Sequence, residues 1–103
     1  MRLDNKTIKT IKELGLRYFG NNAKIYIFGS RTDDSKKGGD IDIYVETDLN
    51  VNSSELFDIE SKYWVSIQKE LGEMKIDIVI NDINFNKKSY IYEVAKKTGI
   101  ALN

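Results

Sequence analysis

Nine aspartates are spread through these 103 residues, and three of them sit where carboxylates are unusual. Asp40 and Asp42 flank a single isoleucine at the head of an apolar run, Asp40-Ile41-Asp42-Ile43-Tyr44-Val45-Glu46. Asp77 lies between Ile76 and Ile78 in a second such run. Aspartate is disfavoured in strands. Along a strand, residues two apart point to one side, about 6.5–7 Å from each other. Two carboxylates so placed can converge on a pair of ions about 3.5–4 Å apart, and hard oxygen donors select Mg²⁺ or Mn²⁺. Each feature also has a plainer explanation: Asp40 and Asp42 as a solvated strand face, Asp77 as an edge-strand residue turned to water. If the two strands are neighbours, all three carboxylates share one face and need cations.

A third feature is Gly29-Ser30-Arg31, which closes the apolar run Lys24-Ile25-Tyr26-Ile27-Phe28. Glycine allows a sharp turn and close approach of a ligand to the backbone. A helix beginning at Ser30 would offer free N–H groups and a favourable dipole to a phosphate. The hydroxyl and the guanidinium would add donors. Taken alone, the same residues also describe a strand-ending turn capped by serine.

Composition narrows the chemistry. The chain has no histidine and no cysteine. That removes a Ser-His-Asp triad, imidazole and thiolate metal sites, a cysteine nucleophile and disulfides. Carboxylates, hydroxyls, lysines, arginines and a bound hard metal remain. Sixteen basic residues balance sixteen acidic ones, so the basic excess typical of direct nucleic-acid binding is missing. No apolar run is long enough to span a bilayer, and the N-terminus has no secretory pattern. A cytoplasmic protein is expected, with residues 1–103 forming a single domain.

The elements that must position these residues follow from periodicity. Asn5 to Phe19 predicts a helix with Ile8, Ile11, Tyr18 and Phe19 near one stripe, stopped at Gly20. Lys24–Phe28 reads as a buried strand, and the polar stretch Thr32–Gly39 as a short helix or turn and a loop. Asp40–Glu46 is a strand with Ile41, Ile43 and Val45 on one side and Asp40, Asp42 and Tyr44 on the other. A helix runs from a cap at Asn52, paired with Glu55, to about Leu71; its expected apolar stripe is Leu56, Phe57, Tyr63, Trp64, Ile67 and Leu71. Lys75–Ile80 is the third strand. A last helix over roughly Lys87–Lys97 is expected to bury Ile91, Val94 and Ala95, with Ile100-Ala101-Leu102 as an edge strand. Tyr63, Trp64, Tyr90 and Tyr92 are expected in the core or at an interface. The order predicts an α/β fold, a small mixed β-sheet with flanking helices.

Gly29-Ser30, then Asp40-x-Asp42, then Asp77 on the next strand, resembles the nucleotidyltransferase superfamily that includes DNA polymerase beta. The segment from Ile25 to Glu46, IYIFGSRTDDSKKGGDIDIYVE, is similar to that of the minimal nucleotidyltransferases. The resemblance implies that Asp40, Asp42 and Asp77 are catalytic and bind two Mg²⁺ ions (Mn²⁺ as the substitute). Gly29, Ser30 and Arg31 would hold the triphosphate of ATP. Asp33 and Asp34 depart from the small and basic residues that many relatives carry after Gly-Ser-Arg. With 26 residues after Asp77, an acceptor has to come from another chain, a homo-oligomer partner or a surface cleft. Minimal nucleotidyltransferases are typically paired with helical HEPN proteins in toxin–antitoxin systems, which implies AMP addition to a tyrosine of that partner. The alternative is a weak or inactive subunit that neutralises or scaffolds the partner by binding.

Overall fold

The computed structural model describes residues 3–28, 40–85 and 89–103. Helix α1 spans Asn5–Phe19, strand β1 Lys24–Phe28, strand β2 Asp40–Thr47, helix α2 Ser53–Leu71, strand β3 Lys75–Asp82, helix α3 Tyr90–Thr98 and strand β4 Ile100–Ala101. A turn of 3₁₀ helix, Ile83–Phe85, follows β3. The expected short element at Thr32–Gly39 lies outside the described residues.

Helix ends follow their local chemistry. The Asp4 carboxylate accepts from the Thr7 N–H at 2.7 Å and caps α1. Hydrogen bonding from the Thr7 side chain, followed by this backbone bond, holds its carboxyl below the ordinary range. Asn52 caps α2 by accepting from the Glu55 N–H at 2.8 Å. The return contact differs from a Ser/Thr capping box, in which the N3 side chain reaches the cap's backbone N–H: here the Asn52 side-chain amide donates to Glu55 Oε1 at 3.2 Å. Gly20 and Gly72 close α1 and α2 at φ 98° and 85°, a region that penalises any Cβ.

The four strands form one mixed sheet in the order β3-β2-β1-β4. β1 is antiparallel to β2 and to β4, while β2 and β3, joined through α2, are parallel. The sheet's two faces differ in kind. Ile25, Ile27, Ile41, Ile43 and Val45 are fully buried and pack with Ile11, Phe19, Tyr63 and Ile67 of α1 and α2. Two buried hydroxyls lock this layer, Tyr63 donating to the Ile11 carbonyl at 2.9 Å and Thr47 to that of Phe19 at 2.7 Å. On the other face α3 covers a smaller cluster of Phe28, Tyr44 and Ala95.

Several expectations need correction. α3 begins at Tyr90, not near Lys87, because Ser89 is extended. Of the residues expected inside, Ala95 is buried and Val94 half-buried, but Ile91 is exposed and Tyr92 packs toward the sheet beside Ala95. Tyr90, at 81% exposed, is not core. On α2 the inward stripe is Leu56, Ile59, Tyr63, Ile67 and Leu71, the i, i+3, i+4 pattern of one helix face. Phe57 and Trp64 each follow an inward residue by one position, about 100° round the helix, and both are exposed. β2 and β3 run on to Thr47 and Asp82, past Glu46 and Ile80, because their ladder continues through the pairs Glu46–Asn81 and Thr47–Asp82.

Candidate active site

The parallel ladder between β2 and β3 sets Asp42 directly opposite Asp77. The strands are neighbours about 4.7–4.9 Å apart, and residues in register project to the same face. That face is the one opposite the isoleucine core. Asp40 begins β2, opposite Lys75. Its backbone alternation assigns it to the side of Asp42, while its side chain lies outside the described part. Asp77 is exposed on the edge strand and Asp42 is half-buried.

β1 reaches the same place from the other side. Its last residue, Phe28, is the register partner of Asp42. The predicted phosphate-holding residues Gly29, Ser30 and Arg31 come next in the chain and are outside the described residues. So the fold brings Asp42 and Asp77 together at the point where β1 ends.

The floor behind these carboxylates is a polar and aromatic layer that sequence reasoning passed over. Tyr44, fully buried, donates to Glu46 Oε2 at 3.1 Å and accepts from the Asn81 amide at 3.1 Å. Burial pushes its phenol up to about 12. Tyr26 and Tyr92 flank it, with ring centroids 5.6 and 5.8 Å away. Lys96 of α3 reaches Glu46 at 3.1 Å, and that bond raises the lysine's pKa. Tyr44 continues the alternation Asp40, Asp42, Tyr44, Glu46. That spacing is visible in the chain; the Asn81 partner is not.

Like charges directly opposite across a ladder repel. Paired carboxylates on an accessible sheet face are hard oxygen donors, and they fit a divalent ion such as Mg²⁺ or Mn²⁺. Asp82, by contrast, is buried and spent on structure. Its carboxylate accepts from the backbone N–H groups of Asn50 and Asn84 at 2.9 and 3.1 Å, so it fastens the loop before α2.

Among the described residues no helix is long and apolar enough to cross a membrane. No curated protein matches the chain. Among solved structures, a crystal structure from Shewanella oneidensis aligns with a TM-score of 0.58 and 18% identity, over 97% of this chain and 72% of that one. At that identity the likeness carries the fold alone. The family model described as polymerase beta, nucleotidyltransferase, matches residues 9–102. With that match spanning both carboxylate strands and the end of β1, the chain belongs to the polymerase beta nucleotidyltransferase family.

Proposed function

We propose that this chain is a minimal nucleotidyltransferase that moves AMP from ATP to a tyrosine hydroxyl of a helical HEPN-type partner, as the antitoxin of a toxin–antitoxin pair. The observation that carries the reading is the register of Asp42 with Asp77 on adjacent parallel strands, with Asp40 two residues ahead of Asp42. In the reaction the acceptor oxygen bonds to the α-phosphorus of ATP. The bond from that phosphorus to the bridging oxygen breaks, pyrophosphate leaves and the hydroxyl proton is lost.

Asp40, Asp42 and Asp77 would hold two Mg²⁺ ions, which when bound supply Lewis acidity and lower the pKa of the acceptor hydroxyl. Asp77, more exposed than Asp42, orients the incoming hydroxyl and takes up its proton. Gly29, Ser30 and Arg31 hold the triphosphate. The rigid isoleucine layer behind the strands fixes the spacing of the carboxylates, which is where positioning contributes to rate.

The test is to incubate the purified partner with this chain, ATP and Mg²⁺, and weigh the partner. Gain of whole AMP units is expected, lost in Asp42→Ala. An unchanged partner mass would count decisively against the reaction. A second reading, neutralisation by binding alone, is favoured by exposed Phe57 and Tyr90, at 66% and 81%. It predicts that Asp42→Ala silences the partner fully.

A further inference from the structure

We propose that the acceptor polypeptide docks in the groove between α2 and the outer edge of β3, through a segment carrying apolar side chains and a lysine or arginine near its hydroxyl. This rests on the transfer reading above and adds to it the surface that selects the acceptor.

Among the described strands, β3 ends the sheet, so its outer edge has no neighbour. An uncovered edge offers backbone donors and acceptors to an added chain. Beside it runs a groove of about 380 Å³ bordered by Phe57, Trp64 and Val65 of α2 and by Asp77 of β3. These three apolar side chains are 66%, 42% and 42% exposed. They lie at i, i+7 and i+8, one continuous helical stripe. Such a cluster of large apolar groups at the surface marks a contact site.

Charge identifies the occupant. The groove's charged lining residues are Glu60 and Asp77, both acidic. The other described grooves differ. One is bordered by Lys62 and Lys69, and another by Lys96 and Lys97 with Glu93. A third contains Asp82, whose carboxylate is already taken by backbone amides. An acidic, apolar groove on a free strand edge, its charge carried by Glu60 once Asp77 holds metal, suits a cationic polypeptide and disfavours nucleic acid. The groove also leads to the site, because Asp77 belongs to both. A chain crossing the β3 edge passes from the α2 side to the carboxylate face.

Trp64 is the single tryptophan of the chain, so its emission reports on the groove without labelling. The probes are synthetic peptides with one tyrosine among leucines, made with lysines or with glutamates. Lysine peptides should shift Trp64 emission to the blue and saturate, and glutamate peptides should bind at least about tenfold more weakly. Phe57→Ser, at an exposed position outside the carboxylate site, should weaken lysine-peptide binding by about tenfold while Trp64 remains as reporter. Absence of any shift, equal binding of the two peptide sets, or indifference to Phe57→Ser would each overturn the proposal. Adding ATP and Mg²⁺ separates the two readings. Lysine-peptide binding with no AMP gain on the partner keeps the groove and removes the reaction; AMP gain on the partner that ignores Phe57→Ser keeps the reaction and removes the groove.

Discussion

The two faces of the sheet are made by the same strands and do opposite work. One side of β1 and β2 presents Ile25, Ile27, Ile41, Ile43 and Val45, all fully buried under α1 and α2. The other presents Tyr26, Tyr44 and Glu46, which meet the nine-residue helix α3, and Asp42 farther along β2. Side chains alternate with a period of two, so a register that buries one set necessarily displays the other. Concentrating apolar burial on one face stabilises a strand that carries carboxylates on the next position. Local violations of strand propensity are then tolerated where chemistry needs them.

The largest effect separating the faces is expected from a pair of substitutions. Ile43→Ala should lower the unfolding free energy by about 2–5 kcal/mol, the range for emptying a packed core position, read by chemical denaturation. Asp77→Asn, on the exposed edge, should change stability by no more than about 0.5 kcal/mol while cutting AMP transfer by about 10²–10³-fold, the scale of losing one preorganised electrostatic group. Equal destabilisation by the two variants would mean that the carboxylate face is part of the core after all.

Much of this division is legible in the chain, for identifiable reasons. The alternation of Asp40, Asp42 and Asp77 with isoleucines assigns each to a face, since a period of two needs no tertiary knowledge. The stop of α1 and the start of α2 were readable because Gly20 and Asn52 act locally. Strand adjacency was not readable: the order β3-β2-β1-β4 depends on which apolar faces meet at a distance. For the same reason the pairing of Tyr44 with Asn81, 37 residues on, left no local signal. Phe57, Trp64 and Ile91 show a further limit. Apolar character alone does not distinguish an inward residue from one reserved for contact, and only the phase of the helix against the sheet decides.

A smaller difference between the faces should appear at alkaline pH. Tyr63 sits in the isoleucine layer and Tyr44 on the site side, and burial holds both phenols above the ordinary value, Tyr44 at about 12. An unfolded tyrosine ionises near pH 10. Between about pH 10 and 12 the folded chain therefore holds more protons than the unfolded one, and stability falls as pH rises. Below that window the contribution is fully present. The slope is at most about 1.4 kcal/mol per pH unit for each tyrosine. Tyr63→Phe and Tyr44→Phe should each flatten the denaturation midpoint against pH, Tyr63→Phe the more. No flattening in either would mean that neither phenol is held protonated by the fold.

The smallest effect concerns how α3 is held over the site face. Lys96 meets Glu46 at 3.1 Å, but the lysine side chain is about half exposed, at 49%. A pair so open to water contributes roughly 0.2–1 kcal/mol and is screened by salt. Glu46 keeps the Tyr44 hydroxyl as a donor when the lysine is gone, so no carboxylate is stranded. Lys96→Met should thus cost well under the Ile43→Ala loss, and added salt should shrink the gap between variant and wild type. A loss comparable to that of Ile43→Ala would reverse the comparison: the cover of the site face would then depend on one ion pair, and α3 could be released by charge alone. The small predicted value instead follows from the rings of Tyr26, Tyr44 and Tyr92, which pack α3 against the sheet by area that salt does not screen.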